Sequence, residues 1–91
     1  MSETEFYELL AVTPAATTAE IKRQYYLLAR KLHPDKNLDD PTAKDKFQKV
    51  GEAYQVLSDP ELRKKYDARG KAGLGEHSAV DASAFFAVLF G

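Results

Sequence analysis

Residues 18–57 read TAEIKRQYYLLARKLHPDKNLDDPTAKDKFQKVGEAYQVL, two apolar-periodic segments on either side of His33-Pro34-Asp35-Lys36. In the first segment Ile21, Tyr25, Leu28 and Leu32 recur at i, i+4, i+7 and i+11, which is one face of an α-helix. In the second, Phe47, Val50, Tyr54 and Leu57 recur at i, i+3, i+7 and i+10, with Ala43 and Ala53 beside them. Proline lacks a backbone donor and pushes the residue before it out of the α region, so the first helix is expected to end near His33. Pro41 restarts the chain into the second. A connection of about eight residues favours antiparallel packing. Segments 18–32 and 43–57 are therefore predicted to form a helical hairpin with a histidine and an aspartate at its tip.

On the N-terminal side, Glu5 to Val12 is a short helix candidate, with Phe6, Leu9 and Leu10 facing a core and Tyr7 half-buried beside them. Thr13-Pro14 breaks it. Thr17 and Glu20 have the spacing of a capping box for the helix that starts at Thr18. On the C-terminal side, Ser58-Asp59-Pro60-Glu61 supplies a cap, a proline at the first helical position and an acid in the first turn. Leu62 and Tyr66 give that fourth helix its apolar side, and Gly70 is the expected C-cap. Residues 71–80 read as a flexible glycine-containing linker. Asp81 then caps a short, very apolar segment, residues 82–90, too apolar to stand free in water. It is expected to begin a following helical region that continues past Gly91. The predicted core comprises Phe6, Leu9, Leu10, Ile21, Leu28, Leu32, Phe47, Val50, Tyr54, Leu57 and Leu62, with Tyr25 at its border.

The chain has 91 residues, a net charge of −1 and no cysteine. That is room for one small domain. Disulfides, cysteine-based zinc sites and thiol catalysis are excluded within it, and the composition fits a reducing compartment. The acidic start, Met1-Ser2-Glu3-Thr4-Glu5, has no signal-peptide pattern, and no apolar run approaches the ~20 residues that span a bilayer. A cytoplasmic location, with the nucleus as a second one, is the expectation.

His33 and Asp35 recommend themselves first as an acid–base pair. No nucleophile stands at a suitable spacing, however, and a small exposed loop offers no pocket, so an enzyme is not expected. Together with the distant His77 they form no recognised metal-ligand spacing, so neither a metal nor another cofactor is expected. A plain polar turn remains the bland alternative. The first hairpin helix carries Lys22, Arg23, Arg30 and Lys31 with only Glu20 to offset them. Such a strip can neutralise phosphates, but the basic groups are few and the second helix carries Asp45 and Glu52, so nucleic acid is not the expected partner. Because the strip runs into the His-Pro-Asp tip, it reads as a docking surface for an acidic partner.

The pattern resembles the J-domain of DnaJ-type co-chaperones. The likeness rests on Phe6-Tyr7-Glu8-Leu9-Leu10, on Ile21-Lys22 with Tyr25, and on His33-Pro34-Asp35-Lys36-Asn37. Phe47, the run Glu52 to Pro60, Arg63 and Tyr66-Asp67 complete it. It implies an all-α fold: a four-helix J-domain over 4–70 with a long antiparallel hairpin, then a linker and a short C-terminal helix over 81–91. It also implies docking on a DnaK-type heat-shock chaperone, whose ATP hydrolysis the domain stimulates during client folding without being an ATPase itself. Carried onto this chain, His33, Pro34 and Asp35 are the stimulation motif, with Lys22, Arg23, Tyr25, Tyr26, Arg30, Lys31 and Lys36 on the docking side. Two departures stand out. Tyr26-Leu27 occupies a place where many members have two basic residues, which bears on docking strength. Gly51 stands where asparagine is commoner, inside a predicted helix, where glycine costs roughly 1 kcal/mol against alanine or makes room for a close neighbour. The apolar tail resembles the start of the region after the J-domain in the DnaJ-X group. Its phenylalanines are expected to pack on the parent domain or to support self-association, with clients held by regions beyond Gly91.

Overall fold

The computed structural model describes residues 4–75 and 80–90. They form five α-helices: α1 (Glu5–Leu9), α2 (Thr18–Leu32), α3 (Pro41–Leu57), α4 (Pro60–Arg69) and α5 (Ala82–Phe90), with 3-10 turns at Pro34–Lys36 and Gly70–Leu74. The fold is all-α, with no strand among the described residues.

The α2–α3 hairpin is the frame. At the start of α2 the capping box is complete: the Thr17 hydroxyl accepts from the Glu20 N–H at 3.1 Å, and the Glu20 carboxylate accepts from the Thr17 N–H. Helix α3 begins with proline at its first position and Asp40 as cap, accepting from the Thr42 and Ala43 N–H groups. The apolar stripes meet as the spacing predicts, and Tyr25 stacks on Tyr54 with ring centroids 4.3 Å apart.

Helix α1 ends at Leu9, short of the predicted Val12. The cause is a Schellman-type close. Ala11 adopts φ 55°, its N–H bonds the Glu8 carbonyl, and the Val12 N–H reaches back to the Tyr7 carbonyl. Glycine usually holds that position; the alanine gives no warning of the turn. The Gln24 amide of α2 donates to the Leu10 carbonyl at 3.4 Å, satisfying one of the acceptors left open at the helix end.

Helix α4 closes back on α1. Tyr66 stacks on Phe6 at 4.5 Å, and its hydroxyl accepts the Phe6 N–H at 3.0 Å. Thr4 offers no side-chain cap, so a residue far along the chain supplies one. The Tyr7 hydroxyl donates to Asp67 and accepts from Arg63 Nε, while Arg63 also donates to the Pro14 and Ala16 carbonyls. Burial, then the hydrogen bond to Asp67, pushes the Tyr7 pKa up. Expected to be half-buried, Tyr7 is 1 % exposed, because its polar edge is fully partnered on α4.

Within the predicted core, Leu9, Leu28, Leu32 and Leu62 are only partly buried. Tyr7, Ala16, Tyr25, Ala29, Ala53, Val56, Tyr66 and Ala82 are buried instead. Where a flexible linker was expected to start, Gly70–Leu74 form a 3-10 turn, with Gly73 so close to Lys65 that an added Cβ would lie 2.6 Å from its carbonyl oxygen. Residues 76–79 of that stretch, including His77, lie outside the described residues, as do Met1–Glu3 and Gly91.

Helix α5 lies on the hairpin. Ala82 packs against Gly51, where an added Cβ would come within 2.8 Å of the Ala82 Cβ. This is the close neighbour for which a helical glycine leaves room. Gln55 makes both bonds to the Val80 backbone at 2.8 Å. Gln48 accepts from the Ala82 N–H at 3.3 Å and donates to Asp81, which itself caps α5 by accepting from the Ala84 N–H. Phe85, Phe86 and Phe90 lie across the aromatic side of the hairpin, so of the alternatives for the tail, packing on the parent domain is the one seen.

Candidate functional site

The tip is built by local backbone chemistry. His33 is extended (φ −53°, ψ 137°), as a residue before proline prefers, and this ends α2. Pro34–Lys36 then make one 3-10 turn. The His33 Nδ1 accepts the Asp35 N–H at 3.1 Å, which assigns the imidazole its Nε2–H tautomer in this arrangement. The Asn37 side-chain amide donates to the Lys31 carbonyl at 2.9 Å and to the His33 carbonyl at 3.0 Å, holding the end of α2 against the turn. The imidazole rests edge-on against Phe47 at 5.3 Å and beside Phe86 at 5.4 Å.

These contacts separate two side chains that are near neighbours in sequence. His33 is inward-leaning, its side chain 25 % exposed, whereas the Asp35 side chain is 88 % exposed. Their side chains approach only to 3.8 Å, too long for a hydrogen bond. The aspartate is thus a carboxylate held out at a fixed place, free to accept two parallel bonds from a guanidinium.

Lys22, Arg23, Arg30, Lys31 and Lys36 are all exposed. Among the described residues, Lys22, Arg23, Lys31 and Lys36 enter no ion pair. Arg30 lies over the Tyr26 ring at 5.7 Å and donates to its hydroxyl at 3.4 Å. Lys36 follows Asp35 on the tip. Pro34 shapes the turn and is partly exposed.

Two residues of the predicted docking side are placed differently. Tyr25 is not at a border but 0 % exposed, enclosed by Tyr54, Phe85, Phe86 and Phe90. Burial first, then the neighbouring Tyr54, pushes its pKa up to about 12. Among the described residues its hydroxyl, which is buried, finds no hydrogen-bond partner. Tyr26 is half-buried, with the Phe90 ring 4.8 Å away. The residues that place α5 here, Gln48, Gly51 and Gln55, were not read as functional; the helical glycine was their one trace in the sequence. Among the described residues no group of three potential metal ligands occurs, and no helix is long and apolar enough to cross a membrane.

The family profile described as the DnaJ domain matches residues 5–67, most of the chain, from the start of α1 to all but the last two residues of α4. The chain belongs to the DnaJ domain family. This J-domain is 52 % identical over 92 residues to Protein CAJ1 of Saccharomyces cerevisiae, a match covering 100 % of the chain and 24 % of that protein. It is 56 % identical over 70 residues to the Chaperone protein DnaJ of Carboxydothermus hydrogenoformans, covering 77 % of the chain and 18 % of that protein. Among solved structures, the crystal structure of ERdj5 form II superposes with a TM-score of 0.74 at 44 % identity, covering 89 % of the chain and 10 % of ERdj5. The J-domain described here thus spans about a quarter, or less, of the length of these relatives.

Proposed function

We propose that this J-domain docks on a DnaK-type chaperone and stimulates its ATP hydrolysis, acting as a co-chaperone in client folding. The observation that carries the reading is the tip itself: an ordered His33-Pro34-Asp35 turn that holds an exposed carboxylate at the end of a basic strip that enters no ion pair among the described residues. The strip, from Lys22 and Arg23 to Lys31 and Lys36, attracts an acidic surface and sets the orientation of encounter. Asp35 then accepts a charge-assisted pair of bonds from an arginine of the partner. Because that contact is made in one of the partner's conformations only, it shifts the partner's equilibrium without any chemistry on the J-domain. A relative named Chaperone protein DnaJ supports the same reading.

The test is single-turnover ATP hydrolysis by a cytosolic DnaK-type chaperone, with the parent chain and with Asp35→Asn. Stimulation by the parent and none by the variant is expected. Equal rates with both chains would remove Asp35 from the mechanism. No stimulation by either, across a panel of chaperone paralogues, would replace the reading with a binding module that does not drive ATP turnover.

A further inference from the structure

The loop that follows the His33-Pro34-Asp35 tip holds an apolar side chain out in solvent. Leu38 is 75 % exposed, the most exposed leucine among the described residues. Single exposed leucines are ordinary on protein surfaces. This one is set apart by how firmly it is held and by what stands around it.

The Asp40 N–H donates to the Asn37 carbonyl at 3.1 Å and closes a β-turn over Asn37 to Asp40, with Leu38 at its second position. Asp39, at the third, takes φ 65°, the left-handed region that type II turns require there and that aspartate enters more readily than most residues. Both ends of the turn are tied down. The Asn37 amide is bound to the Lys31 and His33 carbonyls, and the Asp40 carboxylate caps α3 through the Thr42 and Ala43 N–H groups. A side chain on such a frame has little backbone freedom left to lose on binding, so more of its burial appears as affinity.

Leu38 also lines a shallow cleft of about 430 Å³, with Pro34 and Pro41 as the other apolar residues and Asp39, Asp40 and Lys44 among the polar ones. The cleft is built only by the tip loop and the first turn of α3, and it is continuous with the tip, because Pro34 belongs to both. Its charge runs opposite to that of the α2 strip: Asp35, Asp39 and Asp40 outnumber Lys36 and Lys44. An apolar cleft inside that setting fits an aliphatic group beside a cation, whereas the strip fits an acidic surface.

We propose that Leu38, with Pro34 and Pro41, is the second contact of the tip, and that it packs on an aliphatic side chain of the chaperone next to the arginine that Asp35 engages. The proposal rests on the co-chaperone reading above and adds a division of labour to it. The directional bonds of Asp35 bias the conformation of the chaperone, while the non-directional burial of Leu38 sets how tightly the tip is held.

The test uses the whole chain with Leu38→Ser, which removes the apolar surface, and Leu38→Met, which keeps it. Single-turnover ATP hydrolysis by the chaperone gives the half-maximal J-domain concentration and the maximal rate. Leu38→Ser is expected to raise that concentration about tenfold with the maximal rate unchanged, and Leu38→Met to stay within about twofold of the parent. The Tm and the amide NMR shift of Asp35 should match the parent in both variants, since a merely structural leucine would move them. An unchanged half-maximal concentration in Leu38→Ser overturns the proposal and leaves the co-chaperone reading intact. So does an equal loss in both variants, a shifted Asp35 amide, or self-association of the parent chain that Leu38→Ser abolishes, which would make a second copy the occupant. A parent chain that fails to stimulate sinks the reading itself and the proposal with it.

Discussion

Tyr25→Phe removes one oxygen atom from the most enclosed part of the hairpin and is expected to stabilise the protein. A buried hydroxyl without a partner costs about 1–3 kcal/mol relative to its hydrated state. The ring stack on Tyr54 at 4.3 Å and the contacts with Phe85, Phe86 and Phe90 survive the change. The space vacated by one oxygen, on the order of 10 Å³, returns only about 0.2 kcal/mol of cavity cost. The net gain is therefore about 1–3 kcal/mol, at roughly 4–8 °C in Tm per kcal/mol for a domain of this size. Urea unfolding followed by circular dichroism measures it. The pH dependence adds a second arm. With its pKa raised from 10.0 to about 12, folded Tyr25 keeps its proton while the unfolded chain releases it. The parent's stability is thus intact below pH 10 and falls between 10 and 12, by about 1.4 kcal/mol per unit. The variant lacks that contribution, so its advantage widens as pH rises through this window. A loss of more than about 0.5 kcal/mol in Tyr25→Phe at neutral pH would show that the hydroxyl has a partner and refute the argument. An advantage that stays constant with pH would show that Tyr25 is not enclosed.

Three further outcomes are expected. Leu57, 1 % exposed on the inner face of α3, should cost roughly 2–5 kcal/mol when changed to alanine, and a near-neutral denaturation curve would mean that the hairpin packing is misassigned. Asp35→Asn should leave Tm nearly unchanged, within about 0.5 kcal/mol, because the side chain is 88 % exposed; a larger loss would make Asp35 part of the scaffold. The pKa of Asp81 is lowered below 3.8, chiefly by the Ala84 N–H it accepts and by Gln48. Its hold on α5 is complete above the ordinary carboxylate value and is lost as pH falls through the lowered one. NMR signals of Phe85 and Phe86 should move toward their unfolded positions in that acid range, and an equal response in Asp81→Asn would refute the assignment.

The hairpin and its tip were legible because they depend on local rules. Spacing bounded α2 at Thr18–Leu32, Thr17 and Glu20 announced the capping box, and Pro34 fixed the turn. What escaped depends on partners distant in sequence. Nothing around Ala11 signals a left-handed residue where glycine is usual, so α1 was read too long. Tyr7 looked half-buried because Arg63 and Asp67, which partner its hydroxyl, arrive with α4. Tyr25 looked like a border residue because the helix that encloses it lies at the other end of the chain. The composition of residues 82–90 said that they must be covered, and Gly51 said that something comes close to α3; only the structure joins the two.

The Tyr66 hydroxyl that caps α1 has a kinetic consequence. Five residues are too few to hold a helix unaided, and the donor that Tyr66 satisfies stands 60 residues upstream. The α2–α3 hairpin, by contrast, needs only a short loop closed. Helix α1 must therefore wait for a long loop to close before its contacts repay the entropy. Weakening the clasp of Phe6, Tyr7, Arg63, Tyr66 and Asp67 should therefore accelerate unfolding and leave the folding rate almost untouched, and stopped-flow folding and unfolding of Tyr66→Phe measures both. How long the basic strip and the tip stay assembled, once formed, is then governed by contacts that involve neither of them.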